Sequence, residues 1–131
     1  MTRSQQRGES GQATLEFALV LPLLLMLVTA VVQVGFVLHN SIDLTDAVRS
    51  GGRVASISRS LANPSAAAET ALRNAAAGLD QTKLSVTVAP SSGWAPGSDV
   101  TVSASYPYTI SIFGIPVRTG SLTSSTTQRV E

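Results

Sequence analysis

Glu16 is the only ionisable group between Leu15 and Leu38. A carboxylate at the edge of such an apolar run is costly where the run enters a bilayer. Asp43 and Asp46 stand three apart, on one face of any helix through them, and could chelate a cation. Two carboxylates fall short of a calcium or magnesium site, and a solvated helix face near the membrane is the favoured reading. Asp46 and Arg49 have the spacing of a modest helix-supporting pair. His39 is the only histidine and there is no cysteine. Multi-histidine metal sites, thiolate zinc sites, disulfides and most Ser-His-Asp arrangements are therefore excluded. The serines are numerous, yet no G-x-S-x-G elbow occurs. His39 reads as an interfacial residue. Trp94, alone in a Pro/Gly loop, reads as a local packing anchor or as an exposed contact. No catalytic site, metal or cofactor is expected.

The elements that must hold these residues are set by one segment. The chain has 131 residues and a formal net charge of +1, with no basic stripe, so no nucleic-acid partner is expected. Leu15 to Leu38, about 36 Å as a helix, exceeds a hydrocarbon core of about 30 Å. It is apolar all round, with only Thr29, Gln33 and Gly35 as mild interruptions. Pro22 removes one backbone hydrogen bond and is expected to kink the span, as membrane helices tolerate. A secretory signal peptide is the competing reading, with Arg3 and Arg7 as its positive end and Val28-Thr29-Ala30 as its cleavage site. Apolar residues continue past Ala30, and Glu9 and Glu16 would fall in the positive end, which favours a retained anchor. Arg3 and Arg7 favour an inside N terminus, while Arg49 and Arg53 pull the other way.

From Ser41 the pattern becomes amphipathic, with Ile42, Leu44, Val48, Val54, Ile57 and Leu61 at helical spacing. A helix from Gln12 to Arg59 would reach about 70 Å. Gly51-Gly52 either weakens it or lets another backbone approach closely. Asn63-Pro64-Ser65 starts a second helix, with Ser65 as a candidate N-cap, Glu69 in its early turns, and Gly78 at its end. Ala71, Leu72, Ala75 and Leu79 offer it a thin apolar stripe. Beyond Lys83 the period is two: Leu84, Val86 and Val88, then Val100, Val102, Ala104 and Tyr106. The stretches 89–99 and "FGIPVRTG" read as turns, and "SLTSSTTQRVE" as a polar last strand. The expected fold is α+β: a long transmembrane helix running into an amphipathic one, a second short helix, and a small antiparallel sheet of three or four strands.

"GQATLEFALVLPLLLMLV", "TDAVRSGGRVASI", "GSDVTVSASYPY" and "TTQRVE" together resemble TadE-like proteins, pilin-like subunits of the tight-adherence (Tad) pilus apparatus. Type IV prepilins and pseudopilins share the same leader logic: a hydrophilic leader ending in Gly, Glu at the fifth position after it, then an apolar helix. The resemblance implies a cytoplasmic leader at 1–11, cut after Gly11 by a prepilin peptidase. Gln12 would then be the first mature residue, where many type IV pilins have Phe. It further implies a transmembrane helix at 12–38 and an extracytoplasmic head at 39–131, helical over 41–79 and stranded over 83–131. Glu16, at the fifth position, would pair with the new amine of a neighbouring subunit. Other Tad pilins or pseudopilins, the peptidase, an inner-membrane assembly platform and the lipid bilayer are the implied partners, with adhesion as the outcome of the whole system. Two other readings stay open: an uncut single-pass anchor that scaffolds the machinery, and a secreted domain released after Ala30.

Overall fold

A computed structural model describes the backbone from Gln5 onward and the side chains from Gly11 onward. Of the leader expected at 1–11, residues 1–4 lie outside the described residues. The elements follow in the order α1 (Gln5–Ile57), α2 (Pro64–Ala75), β1 (Ser85–Trp94), β2 (Asp99–Ile112) and β3 (Ile115–Arg129). The fold is α+β, and the sheet has three antiparallel strands in the order β1-β2-β3. Consecutive strands pair through short turns, as half-buried antiparallel sheets do.

The 53 residues of α1 form one helix, about 80 Å long at 1.5 Å per residue. It passes through Pro22 without ending. Its two halves live in different surroundings. The large apolar side chains from Leu15 to Leu38 are exposed, except Val37, which is half-buried. From Leu44 onward one face is buried, and it is made of small residues: Ala47, Val48, Gly51, Gly52, Ala55 and Ser58. Ile42, Ile57 and Leu61, expected on this face, are exposed instead. The stripe follows small side chains because two layers must approach α1 here. A Cβ on Gly51 would lie 2.9 Å from Leu72 Cβ of α2. One on Gly52 would lie 2.6 Å from Thr126 Cγ2 of β3. The two glycines therefore serve close approach, the second of the two roles their pairing suggested, and the helix continues through both.

Ser58 turns its hydroxyl back onto the Val54 carbonyl where α1 ends. The N-cap of α2 is Asn63 rather than Ser65: its side-chain oxygen accepts from Ala66 N at 3.1 Å, and Pro64 takes the first helical position. Proline suits that place because the N–H it lacks would have no helical partner. The helix closes at Ala76 and not at Gly78. Glu69 and Arg73, four apart, are 2.8 Å apart on its surface. Its buried face is Ala68, Leu72 and Ala76, while Ala75 is exposed.

Val100, Val102 and Ala104 of β2 are buried against the helices, with Val86, Val88, Tyr106 and Leu122 partly buried around them. This is the alternation read from the sequence. Two strand ends differ from expectation. β1 runs on through Trp94, which packs partly buried against the core and so acts as a local anchor. β3 begins at Ile115, so that "FGIPVRTG" is a tight turn followed by strand. Polar sequence hides these strands because the sheet's outer face meets no core. The turn itself is Phe113-Gly114, both at positive φ (50° and 81°), as a two-residue I′ hairpin turn demands. Glycine tolerates this; a phenylalanine there stores on the order of 1–3 kcal/mol. The chain end is sewn in by Gly97 N to Val130 O at 2.8 Å and Glu131 N to Ser56 O at 2.9 Å.

Replacing Gly52 by Ala pushes a methyl into Thr126 and should cost the head about 1–3 kcal/mol. Circular-dichroism melts in detergent micelles check this: a lowered melting temperature is expected, and an unchanged one would contradict the close packing of α1 on β3.

Candidate functional site

The residues singled out in the sequence fall at two levels of α1. Near its start, Gly11 lies within the helix, and a Cβ added there would meet nothing within 4 Å. Among the described residues no packing requires a glycine at that place, where it weakens a helix by about 0.5–1 kcal/mol relative to alanine. The next residue, Gln12, donates from Nε2 to Glu16 Oε1, one turn on, at 3.4 Å. Both side chains are exposed. Among the described residues no cation pairs with Glu16. A carboxylate with one weak neutral donor at the edge of an apolar helix retains strong capacity for a positive partner.

At the far end of the run, His39 Nε2 lies 3.5 Å from Asp43 Oδ2. Asp46 lies 3.5 Å from Arg49, both well exposed, so this pair adds little. Asp43 and Asp46 thus turn to different partners and form no shared chelate. Among the described residues no three of His, Cys, Asp and Glu are grouped. In the loop after α2, Asp80 takes bonds from Thr82 Oγ1 at 2.6 Å and Thr82 N at 3.0 Å. These bonds, the hydroxyl's first, hold its carboxyl below the ordinary value. Asp80 orders the turn into β1, away from Glu16 and from the apolar run.

Between these levels lies a contact that no sequence pattern announced. Gln33, on the apolar run, receives the Ser111 N–H on its Oε1 at 2.7 Å and donates from Nε2 to the Ser111 carbonyl. The N–H and C=O of one strand residue point the same way, so Ser111 presents both to the helix. β1 pairs with β2 only as far as Ser105, which leaves this edge of β2 open. The Gln33 carboxamide closes it by imitating a strand partner. The only trace in the sequence is a glutamine amid apolar residues. Thr29, the other hydrogen-bonding side chain in the run after Glu16, bonds the Leu25 carbonyl of its own helix at 2.8 Å.

The described residues hold one helix long and apolar enough to cross a membrane, Gly11–Ile57. The family model of TadE-like proteins matches residues 11–53, spanning the Gly11–Glu16 stretch, the apolar run and the glycine pair. The family resembled by the leader and span is thus matched in those same residues. No curated protein and no solved structure matches.

Replacing Gln33 by Leu removes both bonds to Ser111, each worth about 0.5–1.5 kcal/mol. Hydrogen–deuterium exchange of peptides covering the β2–β3 turn should quicken by roughly ten- to a hundredfold at the Ser111 amide. Unchanged exchange would show that the clamp does not hold the hairpin to α1.

Proposed function

We propose that this chain is a minor pilin or pseudopilin of a Tad-type pilus assembly and secretion system. Residues 12–38 anchor it in the plasma membrane, with the leader 1–11 in the cytoplasm and the head 39–131 outside. The observation that carries this reading is the division of α1. A single helix has a bare apolar half that starts at Gly11–Glu16 and a second half that forms the spine of a small α+β head. A pilin needs both in one rod, since the same helix must be held first by lipid and then by neighbouring subunits. The TadE-like match over that rod supports the assignment.

A prepilin peptidase cuts between Gly11 and Gln12, so the bond-breaking chemistry belongs to the partner and this chain is not an enzyme. The exposed Gly11, with nothing near its Cβ position, suits a protease that must close around the chain. The new amine at Gln12 becomes a counter-charge for Glu16 of a neighbouring subunit. A carboxylate entering lipid then exchanges an unpaired state for a paired one, which drives insertion of each subunit beside the last. Pro22 frees the Ala18 carbonyl and marks where the span can bend as it leaves the bilayer.

One observation favours a second reading, an uncut anchor that scaffolds the machinery. α1 is helical on both sides of Gly11, so the peptide bond to Gln12 lies within a helix and must be unwound before a protease can take it.

N-terminal sequencing and intact mass of protein from native membranes separate the readings. A chain starting at Gln12 is the expected result; a retained leader supports the scaffold, and a start at Val31 a secreted domain. Glu16→Ala should insert normally and be lost from sheared pilus fractions by tenfold or more, since one unpaired charge-assisted contact is worth about 1.5–3 kcal/mol. Normal incorporation of that variant would contradict the pairing role.

A further inference from the structure

We infer that the tip of the β2–β3 hairpin, Ile112 to Val117, is a membrane wedge seated among the acyl chains of the leaflet on the head's side. The inference rests on the proposed anchoring of α1 in the membrane. Its first support is depth. Gln33, which clamps Ser111, lies about 27 Å along the helix from Leu15, whereas the hydrocarbon core is about 30 Å thick. Beyond Ser111 the hairpin heads further towards the start of α1, because Ile112 lines an apolar recess with Leu23, Leu24, Leu27 and Ala30. With the span beginning at Leu15, the tip lies below the headgroups.

The second support is that the tip's chemistry changes in step with the helix beside it. Tyr106 and Tyr108 share a recess with Phe36, Val37 and Asn40, where the apolar run ends, and Lys83 opens onto it. Tyrosine and lysine are interfacial residues. Arg118, opposite Ile110, is the last charge before the tip and is exposed. Past it come Phe113, Ile115 and Val117, exposed at 66%, 69% and 62%. Water gains nothing from three such side chains at one hairpin tip, and the core of the head lies elsewhere.

The third support is the backbone. Phe113 sits at φ 50°, where asparagine or glycine would be at ease. A bulky side chain kept in that conformation points to a use for the ring rather than for the turn. On the side facing α1, the backbone is also prepared for a medium that offers no hydrogen bonds. Ile112 pairs with Ile115 across the turn, Gln33 takes both groups of Ser111, and Pro116 has no N–H to leave bare.

The chain has no cysteine, so a single engineered thiol can be labelled alone. Phe113→Cys and Ile115→Cys report the tip, Leu24→Cys the span, and Ser125→Cys the outer face of the sheet. Each is given a nitroxide and reconstituted as the full chain in phosphatidylcholine–phosphatidylglycerol vesicles. Power saturation then compares exposure to oxygen, which concentrates in lipid, with exposure to a nickel chelate, which stays in water. The expected result is that both tip positions and Leu24 favour oxygen while Ser125 favours nickel. Tip labels open to nickel beside a lipid-exposed Leu24 would overturn the wedge and leave the anchor standing. A nickel-accessible Leu24 would overturn the anchor, and the wedge with it. Tip labels shielded from both reagents and broadened by mutual contact would overturn the wedge in favour of a second copy of the chain.

Discussion

How closely other backbone can come to α1 decides the rest of the structure. A helix carrying large side chains on every face can be solvated by lipid but cannot sit between two layers of protein. From Ala47 to Ser58 most inward side chains shrink to alanine, glycine and serine, with Val48 the largest, and both α2 and β3 reach the helix there. Dispersion contacts fall away steeply with distance, so this proximity turns a thin head into a packed one. The core it makes is small: Leu44, Leu72, Val48, Val100, Val102 and Val130 are its largest fully buried members. A head this slight is held by its helix as much as by itself, and that helix is the one long and apolar enough to cross a membrane among the described residues.

The same rod therefore joins two environments with opposite demands. Its first half is covered by protein only along the strip where the β2–β3 hairpin touches it, and the rest needs lipid or other helices. Its second half has one covered face and one wet face. The head is not perched beyond the membrane half, because the β2–β3 hairpin turns back along α1 and is fastened at Gln33. That fastening ties the position of the head to the position of the span. A displacement of the helix across the bilayer would carry the hairpin with it, which couples insertion depth to the head's orientation.

Much of this was legible in the sequence. The uniform apolarity of Leu15–Leu38 predicts the bare half of α1, and the alternation of Val100, Val102 and Ala104 predicts the inward face of β2. The ends of elements were less legible. Gly, Pro and Ser punctuate 89–99 as they punctuate loops, yet β1 continues to Trp94 because an outer sheet face can be built of small polar residues. Gly51-Gly52 carried two possible meanings, and only the positions of Leu72 and Thr126 select one. The Gln33–Ser111 clamp spans 78 positions and joins a side chain to backbone, so no periodicity or motif could register it. The leader stretch is the reverse case: its motif is plain in the sequence, while the fold gives Gly11 and Glu16 no packing or ion-pair task among the described residues.

That missing task is the centre of the account, and one measurement addresses it directly. Native membranes can be treated with a carbodiimide, which joins a carboxylate to an amine only where the two already touch, and the digests read by mass spectrometry. The account predicts an amide between the Glu16 side chain and the processed N terminus of a neighbouring pilin subunit. Glu16 recovered uncoupled, in chains that still carry the leader, would contradict it.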